Sequence, residues 1–126
     1  MIILDTNFLI NGVTDGSREH EKLREWITVR ETLRINVIIW AEFLCGPVTT
    51  DDVLAASRLL PGPEPLLAED AVRGAAFFNG TGRRRRALAD CLIAATCVRL
   101  NATIATNNVG DFEFFGPLGV RVFRFD

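Results

Sequence analysis

The sequence predicts an α/β fold with a central, mainly parallel sheet of four to five strands between two helical layers. Short, continuously apolar runs alternate along the chain with longer segments whose apolar residues recur at helical spacing. Strands that alternate with helices favour parallel pairing through right-handed crossovers. A chain of 126 residues has room for one hydrophobic core. We therefore expect a single domain over residues 1–126.

The first part of the chain contains a strand followed by two helices. Residues 2–4 form an apolar run, typical of a buried strand, which Asp5 ends, and a short helix is expected directly after it. A turn at residues 14–17 precedes a segment, residues 23–33, with helical apolar spacing and charged faces. This segment predicts an amphipathic surface helix.

The elements that follow are predicted by the same signals. Residues 35–40 are rich in β-branched side chains and predict the second strand, with Asn36 inside it and a helical turn over residues 41–45 after it. The remaining predictions are a helix over 49–59 that begins with a capping box, a brief strand at 66–67, a helix over 69–78, a buried helix over 88–100, a strand over 102–106, a loop over 107–119 and a last strand over 120–125.

Composition excludes several classes of protein. Hydrophobic residues make up 48% of the chain, which is too many for a disordered or low-complexity protein. The net charge of −2 provides no overall positive field, so a polyanion would have to be held locally. Three cysteines are too few for a disulfide framework, and the N-terminal segment lacks the basic start of a signal peptide. We expect a cytoplasmic protein that does not bind membranes.

Four acidic residues are predicted to share one edge of the sheet. Asp5 ends the first strand, Glu42 follows the second, Asp90 lies in the first turn of the buried helix, and Asp111 follows the strand at 102–106. In parallel sheets, ligands bind at the carboxyl ends of the strands, which is this edge. Crowded carboxylates raise each other's pKa unless a cation offsets their charge.

The chemistry of these ligands selects the metal and the reaction. Oxygen ligands without cysteine or histidine favour Mg²⁺ or Mn²⁺, and the single histidine, His20, lies on the amphipathic helix away from this edge. Such ions activate water and stabilise the charge that develops on a phosphodiester during hydrolysis. The acidic residues therefore predict metal-dependent phosphodiester hydrolysis.

Four local strings surround these acids: Asp5-Thr6-Asn7 after MIIL, Glu42 within IIWAEFL, Asp90 within ALADCLIAATCVRL, and IATNNVGDF, which contains Asn108 and Asp111. In order and spacing they resemble the motifs of PIN-domain ribonucleases, especially VapC-type toxins of bacterial type II toxin–antitoxin pairs. The resemblance spans nearly the whole chain. It implies a three-layer α/β/α PIN-like fold and Mg²⁺- or Mn²⁺-dependent endonucleolytic cleavage of RNA that inhibits growth or translation.

The same resemblance implies roles for individual residues and for partners. The catalytic acids and metal ligands would be Asp5, Glu42, Asp90 and Asp111. Supporting polar side chains, which orient a carboxylate or the attacking water, would be Thr6, Asn7, Thr106 and Asn108. Whether Asn108 or Asp111 completes the metal site stays open. The implied partners are an RNA substrate, a cognate antitoxin protein and a second copy of the chain in a homodimer.

One block of positive charge precedes Asp90. It consists of Arg83, Arg84, Arg85 and Arg86. Three interpretations stay open: a substrate-binding role on RNA phosphates, a contact with an acidic antitoxin segment, or a solvated loop.

Other functions compete with the nuclease. A phosphatase of the haloacid dehalogenase type also begins with an aspartate after strand one, but it requires a second acid where this chain has Asn7. A receiver-like domain requires a lysine near the last strand, whereas the only lysine is Lys22. A catalytically silent PIN-like module would keep the fold and bind RNA or protein without turnover.

Overall fold

The computed structural model describes residues 1–81 and 87–125. Four parallel strands form one sheet, in the order β2-β1-β3-β4. They are β1 (Ile2–Leu4), β2 (Leu33–Arg34), β3 (Thr103–Ala105) and β4 (Arg121–Val122). The α-helices of this part of the chain are α1 (Thr6–Gly12), α2 (Arg18–Thr28), α3 (Val37–Cys45), α4 (Thr50–Leu59), α5 (Ala68–Gly80), α6 (Ala87–Leu100) and α7 (Val109–Glu113), and a 3-10 turn spans Gly116–Leu118. The predicted α/β/α fold with a parallel sheet is confirmed.

The register of the central strands places two polar residues side by side. Leu4 of β1 pairs with Ala105 of β3, and the Asp5 backbone N–H donates to the Ala105 carbonyl at 2.9 Å. In a parallel pair the residues that follow lie at the same edge. Asp5 and Thr106 therefore meet at the carboxyl end of the sheet.

Aromatic rings join the first two helices to the C-terminal segment. Phe8 of α1 stacks on Trp26 of α2, with ring centroids 5.8 Å apart, and on Phe125 at 5.9 Å. Phe123 packs edge-on against Trp26 at 4.9 Å. Burial of a large apolar side chain contributes about 1.5–3 kcal/mol, so this cluster holds α1, and with it the edge at Asp5, against the sheet.

The predicted strand over residues 35–40 is wrong. Asn36 caps α3, because its side-chain oxygen accepts a hydrogen bond from the Ile39 backbone N–H at 2.9 Å. Ile39 and Phe43, one helical turn apart, are both fully buried. Tertiary packing of this helical face thus overrides the strand preference of the β-branched side chains.

Four smaller predictions also change. Leu33 belongs to β2 rather than to the amphipathic helix, which ends at Thr28. The pair at 66–67 is not a strand, since Leu67 is the cap of α5. The loop over 107–119 contains a helix, α7, and the last strand stops at Val122. In each case the segment is short, so neighbouring packing decides its conformation.

The three cysteine thiols are free; Cys91 and Cys97 are buried, and Cys45 is exposed. Burial raises the pKa of the Cys97 thiol to about 12, with a further contribution from the charge of Asp5.

Within the described residues, no helix combines the length and the apolar character needed to cross a membrane.

The contact between α1 and α2 depends on a glycine. A Cβ atom on Gly12 would lie 2.3 Å from the Cδ1 atom of Leu23, a buried side chain of α2. We expect Gly12→Ala to lower the free energy of unfolding by about 1–3 kcal/mol, because Leu23 must leave its packed position. Urea denaturation measures the change. Gly80→Ala is the control, since no atom of the described residues lies within 4 Å of its Cβ position, and equal losses in the two variants would contradict the prediction.

Candidate active site

Asp5 is the centre of the candidate site. It follows β1, caps α1 and is only 5% exposed. One carboxylate oxygen, Oδ1, accepts the Thr6 backbone N–H at 2.9 Å, and the other, Oδ2, accepts the Thr106 hydroxyl at 2.8 Å. Hydrogen bonds from two sides thus hold the carboxylate in one orientation at the edge of the sheet.

The charge of Asp5 is poorly compensated by the protein. Burial raises its pKa, the hydrogen bonds from Thr106 and Thr6 lower it in part, and the neighbouring charge of Asp111 raises it further. Across residues 1–81 and 87–125, no basic side chain forms an ion pair with Asp5. A cation at this edge would offset both the burial and the repulsion.

Thr106 connects Asp5 to the segment that follows β3. The threonine is buried, and its hydroxyl oxygen accepts the Asn108 backbone N–H at 3.0 Å while it donates to Asp5. Asn108 occupies the cap position of α7 without a side-chain capping bond, and Asp111 lies in the first turn of that helix. The predicted fourth motif therefore reaches the site through the backbone of Asn108 and the charge of Asp111.

Glu42 reaches the same edge from α3. It is exposed in the second turn of this helix, rather than directly after a strand as predicted. The Thr6 hydroxyl donates to Glu42 Oε1 at 2.8 Å. Because Thr6 also donates its backbone N–H to Asp5, one residue orients both carboxylates.

The structure describes two of the remaining predicted site residues, Asp90 and Asn7. Asp90 is half-buried in the first turn of α6. Burial of the Cys91 thiol raises the pKa of this thiol to about 11, with a further contribution from the charge of Asp90. Asn7 is exposed on α1. The predicted arginine block at residues 83–86 lies outside the described residues.

The structure brings the predicted acids together in part. Hydrogen bonds join Asp5, Thr6, Glu42 and Thr106 with the backbone of Asn108. In the part of the chain that the structure describes, no three His, Cys, Asp or Glu side chains already converge on one point. The geometry is therefore an oriented acidic edge at Asp5, to which α3 contributes Glu42 and α7 contributes the charge of Asp111.

Sequence reasoning missed a pair of buried polar residues, Asn36 and Thr96. Asn36, predicted inside a strand, donates its side-chain amide to the Thr96 hydroxyl of α6. An asparagine directly before an apolar run is a helix-cap signal, which would have indicated the start of α3. No pattern in the sequence indicated Thr96 as its partner.

Comparison with solved structures identifies proteins of similar fold. The chain is similar to VapBC2 from Rickettsia felis bound to a DNA fragment from its promoter, with 20% identity, full coverage of both chains and a TM-score of 0.79. A toxin–antitoxin complex from Klebsiella pneumoniae has 23% identity and a TM-score of 0.73, with 98% of this chain and 97% of that chain covered. FitAcB from Neisseria gonorrhoeae has 25% identity and a TM-score of 0.71, and the match again covers 98% of this chain and 97% of that chain. These likenesses describe the fold.

A comparison with curated protein sequences gives no significant match. The model of the PIN domain family, in contrast, matches residues 2–113, which include β1 to β3, the edge at Asp5 and all four predicted acids. This match, together with the architecture of the sheet, shows that the chain belongs to the PIN domain family.

Proposed function

We propose that this PIN domain is a Mg²⁺- or Mn²⁺-dependent endoribonuclease that acts as the toxin of a toxin–antitoxin pair. The observation that carries the proposal is the buried Asp5 carboxylate. It is oriented by hydrogen bonds at the carboxyl end of the sheet, repelled by Asp111, and without an ion-pair partner in the described residues. A buried carboxylate of this kind is stabilised by a bound cation.

The available ligands fit a hard divalent cation. Carboxylate oxygens of Asp5, Glu42, Asp90 and Asp111 would hold it, and the only histidine, His20, is engaged with Gly12 and Asp15. When bound, the ion would activate a water and offset the charge that develops on the phosphodiester. Thr106 and Thr6 would keep the Asp5 and Glu42 carboxylates in place during the reaction, which lowers the cost of reorganisation.

The fourth motif offers two candidate residues, and we propose Asp111 as the one that faces the metal. Its charge acts on Asp5, whereas the described contact of Asn108 is a backbone N–H that orients Thr106. Asn108 would then be a supporting residue. Asn7, exposed beside Thr6, would contact the attacking water or the substrate.

The proposed partners are an RNA substrate, a cognate antitoxin and a second copy of the chain. The similar structures include toxin–antitoxin complexes, which supports the antitoxin as partner. Val37 and Leu44 lie seven residues apart on α3 and leave 38% and 48% of their surface exposed. An exposed apolar helix face of this kind supports self-association. Arginines 83–86 are proposed to contact RNA phosphates.

Cleavage of structured RNAs tests the proposed function. We expect cutting with Mg²⁺ or Mn²⁺ and none with EDTA. Glu42→Gln should reduce the rate on the order of 10- to 100-fold, because a neutral amide holds a divalent cation less well. Glu21→Gln, an exposed change on α2, is the control and should leave the rate unchanged.

Two outcomes would contradict a metal-dependent nuclease. Cutting that persists in EDTA would exclude a metal-dependent mechanism. Mn²⁺ binding in calorimetry without cutting of any RNA would instead indicate a silent PIN-like module.

A further inference from the structure

A polar pair is buried between the two helices α3 and α6. Asn36 and Thr96 are both fully buried, and the Asn36 amide nitrogen Nδ2 donates to the Thr96 hydroxyl oxygen at 3.0 Å. The Thr96 hydroxyl in turn donates to the Leu92 carbonyl at 3.0 Å. Because an unsatisfied buried donor is costly, these bonds favour one relative placement of the two helices.

The two helices carry two of the proposed metal ligands. Glu42 lies six residues after Asn36 on α3, and Asp90 lies six residues before Thr96 on α6. At the rise of an α-helix, each acid is about 9 Å along its helix from the hydrogen bond. A helix is stiff over this length, so a shift of one helix against the other moves one acid against the other.

Capping alone does not explain the amide of Asn36. The cap of α3 uses only the side-chain oxygen, which accepts the Ile39 N–H, and serine or aspartate would provide the same acceptor. The Nδ2 group is the part that asparagine adds, and its partner is on α6. The hydrogen bond from the Thr96 hydroxyl to the Leu92 carbonyl adds little to the stability of α6. It orients the hydroxyl so that a lone pair of its oxygen faces Asn36.

We propose that Asn36 and Thr96 are positioning residues, whose hydrogen bond holds α3 and α6 in the alignment that places Glu42 and Asp90 for metal binding. This inference rests on the proposed function for its metal-binding consequence. The alignment of the helices is a separate property and can be measured without metal.

Spin-label distances test the alignment directly. Cys45 is exposed at the end of α3, whereas Cys91 and Cys97 are buried, so a label attaches to Cys45. A second label at Leu88→Cys reports on the first turns of α6. We expect Asn36→Ser, which keeps the cap and removes the amide, and Thr96→Val to shift or broaden the distance distribution. Unchanged distributions in both variants would overturn the inference.

Matched controls separate this role from a general loss of stability. Thr96→Ser keeps the hydroxyl and should keep the distribution. Thr28→Val removes a hydroxyl that makes the same kind of bond to the carbonyl four residues earlier, but on the exposed side of α2, and it should also have no effect. If Thr96→Val does not fold, Asn36→Ser still tests whether the hydrogen bond aligns the helices. In that variant the Thr96 hydroxyl retains its hydrogen bond to the Leu92 carbonyl.

Mn²⁺ calorimetry tests the consequence for the site. We expect the Kd for Mn²⁺ to rise on the order of 10-fold in Asn36→Ser and Thr96→Val, and to stay within about twofold in Thr96→Ser and Thr28→Val. An unchanged Kd beside a shifted distance distribution would overturn the positioning role. Failure of the unsubstituted chain to bind Mn²⁺ or cut RNA would overturn the proposed function instead, and the label distances would still decide whether the bond aligns the helices.

Discussion

Asp5→Asn should reduce metal-dependent RNA cleavage by at least ~100-fold and raise the Tm of the metal-free protein. The loss of activity is expected because Asp5 is the most buried of the four proposed ligands and is held by Thr6 and Thr106. The gain in stability is expected because an amide has no charge to bury and is not repelled by Asp111. Opposite effects on activity and stability indicate a residue that is kept for function.

The raised pKa of Asp5 also predicts how stability depends on pH. The folded protein holds the Asp5 proton more tightly than the unfolded chain does. The stabilisation from this proton is present below the ordinary pKa of aspartate and is lost as pH rises through the raised pKa. The metal-free protein should therefore lose stability over this interval, and Asp5→Asn should lack this loss. Added Mn²⁺ should raise the Tm of the unsubstituted protein, since a ligand stabilises the folded state that binds it.

Thermal unfolding between acidic and neutral pH, with and without Mn²⁺, measures these effects beside the cleavage rate. Asp51→Asn is the matched control, because this aspartate is exposed in the first turn of α4. It should change neither the cleavage rate nor the response to Mn²⁺. If the cleavage rate is unchanged in Asp5→Asn, Asp5 is not a metal ligand.

Arg99→Met should lower the free energy of unfolding by about 3–5 kcal/mol. Asp70 is fully buried in α5, and both of its oxygens accept the Nε–H of Arg99 on α6, at 2.9 and 3.1 Å. Arg99 also donates to the Pro65 carbonyl at 3.1 Å. Removal of the guanidinium leaves a buried carboxylate whose described remaining bond is the Leu67 backbone N–H.

Two further variants show whether this loss comes from the unpaired charge. Asp70→Asn combined with Arg99→Met should be less destabilised than Arg99→Met alone, because no charge is then left buried. Arg34→Met removes the partly exposed pair with Glu64 and should cost about 0–1 kcal/mol. Urea denaturation measures all three variants. If Arg99→Met and Arg34→Met lower the free energy of unfolding equally, then the buried Asp70–Arg99 pair is no more important for stability than the partly exposed pair.

Local patterns predicted much of this fold. The apolar run at residues 2–4 is a strand because it is buried on both faces, and the apolar segment after residue 87 is the long helix α6. The capping box at Thr49 was likewise identified, because its two partners lie three residues apart in the sequence. Signals of this kind involve neighbours along the chain, so they can be read without knowledge of the fold.

The sequence also identified the acids and the family to which the chain belongs. Asp5, Glu42, Asp90 and Asp111 stand in strings that resemble PIN motifs, and the family match covers all four. Their roles as metal ligands stay a prediction. That Asp5 follows a strand was evident from the sequence, but its burial and its raised pKa were not, since these depend on what packs around it.

Contacts between distant residues were decided only by the tertiary structure. Asp5 meets Thr106, 101 residues away, because β1 and β3 pair in parallel with Leu4 opposite Ala105. Residues 35–40 could not be assigned correctly from β-branched composition, because the outcome depended on burial of Ile39 and Phe43 against the core. By itself the sequence determined the order of most elements and which acids are candidates. The register of the sheet and the packing of the helices determined which side chains meet, because hydrogen bonding and burial act across space and not along the chain.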